Sequence, residues 1–269
     1  MHVSRETRVL TVANQKGGVG KTTTTVNMAA GLAQAGHTVL VIDLDPQGNA
    51  STALDVPHVK DTPDVYSTLV EGVALSDIIV QVEAVPNLFC APATIDLAGA
   101  EIELVSLIAR EHRLKRALDE YRAFFHAKYG RPLEFVFIDC PPSLGLLTVN
   151  ALVAATEVLI PIQCEYYALE GLSQLLRTVE LIRSQLNPRL YVSTVLLTMY
   201  DARTRLAQDV AAEVRSFFGD KVLTSVIPRS VRVSEAPSHH LTVLQYDQSS
   251  AGAVAYRDAA RELVEGRSA

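Results

Sequence analysis

The sequence predicts an α/β fold in which a mostly parallel, twisted sheet is covered by helices on both faces. Short runs of consecutive apolar residues, typical of strands buried on both sides, alternate with longer amphipathic stretches typical of helices. The first apolar run leads into a glycine-rich turn at the start of a helix, which is typical of a phosphate-binding unit. No linker, internal repeat or low-complexity segment interrupts this pattern, so we expect residues 1–269 to form a single domain.

The strands and helices follow one another in a regular order. We expect strands at 9–13, 38–43, 135–139, 158–162, 192–197 and 222–227. Helices are expected at about 21–35, 168–186, 203–218 and 250–265, the first of them stopping at Gly36. A further helix is indicated by one apolar face, formed by Leu114, Ala117, Leu118, Tyr121 and Phe125. Residues 64–108 are predicted to form short helices around one weak strand at 87–90.

The composition narrows the class of protein. A hydrophobic content of 48% with 20% charged residues is ordinary for a globular protein, and no apolar run reaches the roughly 18 residues of a spanning helix. Cys90, Cys140 and Cys164 are too few and too far apart for a disulfide framework or a zinc site. Without a signal-peptide pattern, we expect a cytoplasmic protein. The net charge of −6 means that a nucleic acid could bind only at a local basic patch.

A glycine-rich loop with two lysines is the most informative motif. It runs from Lys16 through Gly17, Gly18, Val19 and Gly20 to Lys21, Thr22 and Thr23. Backbone N–H groups and the positive end of the following helix dipole converge on an anion in such a loop. In the GKT pattern Lys21 is expected to reach the β- and γ-phosphates of a nucleotide and Thr22 to bind Mg²⁺. The usual pattern has glycine where this chain has Gln15, and Lys16 is an additional cation that holding one nucleotide does not require.

Carboxylates follow two of the predicted strands, at the sheet edge where open α/β sheets bind ligands. Asp139 ends one apolar run, and we expect it to hold Mg²⁺ through water. Asp43 ends another and is expected in the outer shell of the metal, whereas Asp45 is expected to orient the water that attacks the γ-phosphate. A lone aspartate at a strand end is more often a turn or cap residue. Three of them in this order after a GKT loop favour the nucleotide interpretation.

Taken together, these motifs resemble the deviant-Walker ATPases, and among them the ParA/Soj partitioning branch. The resemblance rests on the segments 16–22, 43–49, 138–143, 165–171, 198–204 and 227–238, and so covers nearly the whole chain. It implies a deviant P-loop NTPase fold, ATP and Mg²⁺ as cofactors, and slow hydrolysis stimulated by a ParB-type partner. It also implies a homodimer in the ATP state, non-specific binding to nucleoid DNA, and a role in chromosome or plasmid segregation.

The resemblance gives several residues an expected role. Lys16 corresponds to the signature lysine, which reaches the nucleotide of the second protomer, and Gly17 must stay small so that two loops can approach closely. Pro228 and Arg229 are expected near the adenine, with Met199 as a further candidate.

Two arginines match positions implicated in DNA binding. They are Arg203 and Arg232, which lie in a segment, 199–232, of net charge +2 in a chain that is otherwise −8. By composition alone, a solvated charged face is the simpler interpretation of this segment. The match to the family favours DNA contact.

Related P-loop proteins with other functions have sequence features that can be looked for in this chain. A membrane-associated positioning ATPase of the MinD type has a basic amphipathic anchor, which the helix at 256–264 does not resemble, so we expect no membrane partner. A metabolic P-loop enzyme of the dethiobiotin-synthetase type would transfer phosphate to a small molecule. Relatives of the nitrogenase iron-protein type need cysteines that bridge an iron–sulfur cluster at the dimer axis. The surroundings of Cys140 and Cys90 are unsuited to that role. No N-terminal helix-turn-helix domain is expected.

Overall fold

The computed structural model describes residues 6–60, 62–166, 169 and 172–265. Eight strands form one sheet in the order β3-β4-β2-β5-β1-β6-β7-β8. The strands are β1 (Arg8–Val12), β2 (Val39–Asp43), β3 (Val80–Gln81), β4 (Leu88–Ala91), β5 (Phe135–Asp139), β6 (Glu157–Gln163), β7 (Tyr191–Tyr200) and β8 (Val222–Pro228). All neighbours pair in parallel except the short edge strand β3, which is antiparallel to β4. The predicted α/β fold with a mostly parallel sheet is confirmed.

The helices connect these strands. They are α1 (Lys21–Gln34), α2 (Asn49–Ala53), α3 (Leu75–Ile78), α4 (Leu97–Glu103), α5 (Arg113–Tyr129), α6 (Leu146–Ala154), α7 (Leu172–Gln185), α8 (Arg205–Phe218), α9 (Val231–Glu235), α10 (Val243–Tyr246) and α11 (Ala251–Glu265). A π-helical turn at Ser67–Glu71 and short 3-10 turns complete the segment predicted to hold short helices. The predicted start of the helix at 168 lies outside the described residues.

Five of these strands and helices were not predicted, and each lacks a readable period. Helix α6 is apolar on nearly all sides and buried, so it shows no alternation of polar and apolar faces. Strand β3 has two residues, and helices α2, α9 and α10 have five, five and four, which is too short for a period to develop. Tertiary contacts decide the conformation of such segments.

Two apolar cores lie on the two faces of the sheet. Along β2, Val39 and Val41 face the core shared with α1, α10 and α11, while Leu40 and Ile42 face the core shared with α5, α6 and α7. This alternation is the period of two that a strand buried on both faces requires. The helices thus cover both faces of the sheet, as predicted.

The strand register brings the predicted carboxylates to one place. Asp139 at the end of β5 pairs with Val12 of β1 on one side and with Asp43 of β2 on the other. Because β1 continues directly into the glycine-rich loop, both carboxylates lie beside that loop at the carboxyl edge of the sheet.

Among the described helices, none combines the length and apolar character needed to cross a bilayer.

Candidate nucleotide-binding site

The loop between β1 and α1 is shaped to hold an anion. Gly20 directly precedes α1 with a φ of 85°, a left-handed conformation in which a side chain would be strained. No described side chain caps the first turn of α1, so its N–H groups are open to a ligand. Thr198 of β7 donates a hydrogen bond of 2.9 Å to the carbonyl of Val19 and so fixes the loop against the sheet. The loop is therefore a preformed cradle for phosphate.

Lys21 lies inside this loop. Its Nζ donates to the carbonyl of Lys16 at 3.2 Å, and the residue is 8% exposed. Burial lowers the pKa of Lys21, while the negative charges of Asp139 and Asp45 oppose that shift. A phosphate in the cradle would supply a further opposite charge and favour the ammonium form.

Asp139 is surrounded by the hydroxyl groups of α1. Thr22 Oγ1 donates to its Oδ2 at 2.7 Å, and Thr25 Oγ1 donates to its Oδ1 at 2.9 Å. The carboxyl group is fully buried, and burial together with repulsion from Asp43 raises its pKa. The two hydroxyl hydrogen bonds favour the ionised form, and a bound cation would do the same.

The oxygen atoms of Thr22 and Asp139 fit a magnesium ion. Among the described residues, no group of three or more His, Cys, Asp or Glu side chains could hold a metal by itself. Mg²⁺ is usually held by one or two carboxylates, with phosphate oxygens and water completing its octahedron. The Thr22 hydroxyl and the Asp139 carboxylate, beside the phosphate cradle, match that chemistry.

Asp43 is occupied by the segment that follows it. Its Oδ1 accepts the N–H of Asp45 at 3.1 Å, and its Oδ2 accepts both the N–H and the hydroxyl of Ser51, at 2.9 and 2.8 Å. Burial raises the pKa of Asp43, and these hydrogen bonds oppose the shift. The predicted place of Asp43 in the outer shell of the metal stays a prediction, because the contacts that are present serve the loop.

Asp45 is half-buried on the side of the cradle. Its Oδ1 accepts the N–H of Gln47 at 3.0 Å, and Oδ2 accepts no hydrogen bond from the residues that the structure describes. The charge of Asp45 contributes to the raised pKa of Asp139 and opposes the lowered pKa of Lys21, so it acts on both groups. This placement is compatible with the predicted water-orienting role, which stays a prediction.

Lys16 takes part in a cluster that the sequence did not indicate. Its Nζ lies 3.7 Å from Oε2 of Glu165, and Nη2 of Arg229 lies 3.1 Å from Oε1 of the same carboxylate. Gln163 also donates to this Oε1, at 2.6 Å. Glu165 follows β6 at the carboxyl edge of the sheet, the same signal that identified Asp43 and Asp139, but the sequence interpretation gave it no role.

The three residues predicted near an adenine lie together. Met199 is in β7 with a φ of 51°, and its neighbour Tyr200 pairs with Pro228 of β8. The N–H of Arg229 donates to the carbonyl of Tyr200 at 3.1 Å. Met199, Arg229 and Lys16 line one open cavity of about 590 Å³. Contact with adenine stays a prediction.

Both arginines predicted to bind DNA have acidic neighbours. The side chain of Arg203 is 89% exposed and forms two hydrogen bonds with Asp201, at 2.9 and 2.8 Å, which lower the pKa of Asp201 to about 2. Arg232 lies 3.3 Å from Glu235 and 3.6 Å from Asp247. A DNA phosphate would have to compete with these carboxylates, so DNA contact stays a prediction.

Several known proteins resemble this chain over nearly its whole length. Residues 7–192 match a family model described as an AAA domain. The chain is 53% identical to the sporulation initiation inhibitor protein Soj of Bacillus subtilis (strain 168), over 95% of this chain and 98% of that relative. It is 51% identical to the chromosome partitioning protein ParA of Caulobacter vibrioides, over 96% and 94% of the two chains. A structure described as cobyrinic acid a,c-diamide synthase from Mycobacterium smegmatis, with bound ADP and magnesium, matches with a TM-score of 0.82 and 39% identity, over 97% of this chain and 95% of that one.

Proposed function

Because this chain belongs to the ParA/Soj family of chromosome-partitioning ATPases, we propose that it hydrolyses ATP with Mg²⁺ and forms a homodimer in the ATP state. The ATP-bound dimer binds non-specifically to the DNA of the nucleoid, in the cytoplasm. A ParB-type partner stimulates hydrolysis, which releases the protein from the DNA. The observation that carries the proposal is the pair of lysines in one loop, one buried in the phosphate cradle and the other at its surface.

The residues around the cradle divide the work of phosphoryl transfer. Lys21 and the N–H groups of the loop bind the β- and γ-phosphates, and Thr22 and Asp139 hold the metal. When bound by these two residues, Mg²⁺ would supply positive charge against the negative charge that develops on the phosphate oxygens. Asp45 accepts a hydrogen bond from the attacking water and orients it toward the γ-phosphate. Support for ATP and magnesium comes from the Mycobacterium smegmatis relative, which was solved with ADP and magnesium and separately with an ATP analogue and magnesium.

Dimerisation requires groups that face outward. The side chain of Lys16 is 38% exposed, so it can leave Glu165 and reach the nucleotide of a second protomer. A Cβ at Gly17 would have no neighbour within 4 Å among the described residues, so packing against that part of the protomer does not explain this glycine. A requirement for close approach of a second loop would explain it. Two protomers also double the number of phosphate contacts to DNA, which makes DNA affinity depend on the ATP state.

DNA binding of the purified protein with ATP, with ADP and without nucleotide tests this function. We expect DNA binding only with ATP, and weaker binding in Lys16→Ala, because that variant forms a weaker dimer. Lys115→Ala is the matched control, since this lysine lies on α5 and pairs with the exposed Asp119. DNA binding that is equal in all three nucleotide states would contradict the proposal.

A second candidate function follows from the description of the Mycobacterium smegmatis relative as cobyrinic acid a,c-diamide synthase. This chain would then use ATP to form an amide on a small acid, and DNA would have no part in its activity. The higher identity to the partitioning protein ParA favours the first function. Measuring ATP turnover with cobyrinic acid and, separately, with DNA and a ParB-type protein distinguishes the two.

A further inference from the structure

The loop between β2 and α2, residues 44–48, is held on both sides by one carboxylate. Asp43 ends β2 and accepts the N–H of Asp45 at the start of this loop. It also accepts the N–H and the hydroxyl of Ser51 in the first turn of α2. Asp43 and Ser51 are both 0% exposed, so water does not compete for these hydrogen bonds.

Ser51 connects this carboxylate to a third part of the chain. Its hydroxyl donates to Asp43 at 2.8 Å and accepts the N–H of Ala93, just beyond β4, at 3.2 Å. The carbonyl of Ala93 limits the same loop from the other side, since a Cβ on Gly48 would lie only 2.9 Å from it. Gly48 also has a φ of 61°, which favours glycine. The path of the loop is therefore fixed by Gly48 together with the buried contacts of Asp43, Ser51 and Ala93.

We propose that Ser51 is a positioning residue for ATP hydrolysis, which acts through Asp43 and the 44–48 loop to hold Asp45 in place. This inference rests on the proposed function, in which Asp45 orients the attacking water. A serine suits the position because one small hydroxyl can donate and accept at the same time. Alanine would remove a donor from the buried Asp43 and leave the N–H of Ala93 without this acceptor.

The expected loss of rate in Ser51→Ala follows from how precisely the reaction requires the attacking water to be oriented. A shift of about 1 Å in a group that orients a reactant can cost on the order of 100-fold in rate. Removal of the hydroxyl leaves two of the three hydrogen bonds to Asp43, so the loop loosens without being released. We therefore expect Ser51→Ala to lower kcat by about 10- to 100-fold. The affinity for ATP should stay within about twofold, because Lys21 and the cradle are not touched by this change.

A double-mutant cycle with Asp45→Ala tests the inference. Ser51→Ala should lower kcat when made alone. Made together with Asp45→Ala, it should lower kcat by less than a further factor of about two, because both changes remove the orientation of the attacking water. Ser51→Cys has nearly the same volume but a weak donor, and it supplies a second variant should the alanine variant not fold. Ser184→Ala, which removes an exposed hydroxyl on α7, is the control expected to keep the rate of the wild type.

Three results would overturn the inference. The first is a wild-type kcat in folded Ser51→Ala and Ser51→Cys. The second is an equal fold-loss of kcat when Ser51→Ala is made in the wild type and in Asp45→Ala. The third is a loss of ATP affinity in Ser51→Ala that accounts for its loss of rate. A wild-type protein that does not hydrolyse ATP would instead contradict the proposed function, and the inference with it. An Asp45→Ala variant with the wild-type rate would contradict the role of Asp45.

Discussion

The contact between Lys16 and Glu165 gives a prediction about dimerisation. Nζ of Lys16 lies 3.7 Å from the carboxylate of Glu165, and both side chains are more than one third exposed. If Lys16 serves the nucleotide of a second protomer, this pair must open each time a dimer forms. Glu165→Gln removes the charge of the carboxylate while keeping its shape, and we expect it to strengthen the ATP-dependent dimer.

The size of the effect follows from the geometry of the pair. Exposed ion pairs contribute about 0.2–1 kcal/mol, and a dimer opens two of them, so the dimer dissociation constant should fall roughly 2- to 30-fold. Sedimentation velocity with ATP at a series of protein concentrations measures this constant. The gain should shrink as salt rises, because salt already weakens the exposed pair.

A matched variant separates this effect from a general change in charge. Glu180→Gln removes an exposed carboxylate of α7 that pairs with Arg183, and we expect the dimer to keep its wild-type dissociation constant. An unchanged or weaker dimer in Glu165→Gln would refute the reasoning, since it would mean that Glu165 does not hold Lys16 back.

Three further outcomes are expected. Asp45→Ala should bind ATP normally but hydrolyse it at least about 100-fold more slowly, so that ATP-bound dimer accumulates on DNA; rapid quench of bound ATP checks this. Arg232→Glu should weaken DNA binding and lower the dependence of DNA affinity on salt concentration, while retaining the ATP-dependent dimer. An unaltered salt dependence would exclude Arg232 from the DNA interface. Glu157→Gln should destabilise the fold by about 2 kcal/mol in urea unfolding, below the 3–5 kcal/mol of a fully buried pair, because Arg8 is 16% exposed; a change under about 0.5 kcal/mol would contradict this.

The amino-acid sequence was sufficient to predict the fold and the meeting of Asp43 and Asp139 at one edge of the sheet. Buried parallel strands have continuous apolar runs, and the rule that ligands bind at the carboxyl ends of such strands places Asp43 and Asp139 together. Their register in neighbouring strands agrees with that expectation.

The contacts that the sequence did not reveal are those between residues far apart in the chain. Glu165 and Lys16 are separated by almost 150 positions, and no local pattern pairs them. Ser51 looks like an ordinary residue of a short helix, and its role depends on Ala93 and Asp43, which only the folded chain brings to it. Helix α6 was missed because a helix that is apolar on nearly all sides has no period.

In the proposed dimer, Lys21 serves the nucleotide of its own protomer while Lys16 serves that of its partner. The most direct test mixes two inactive variants, Lys16→Ala and Asp45→Ala, and measures ATP hydrolysis. In a mixed dimer, the Lys16→Ala protomer keeps its own Asp45 and receives Lys16 from its partner, so one of the two sites is complete.

At equal amounts, half of the dimers are mixed and half of their sites are complete, which predicts about one quarter of the wild-type rate for a symmetric dimer. Each variant alone should stay near background. If the mixture is no faster than the separate variants, Lys16 acts within its own protomer and the account is contradicted.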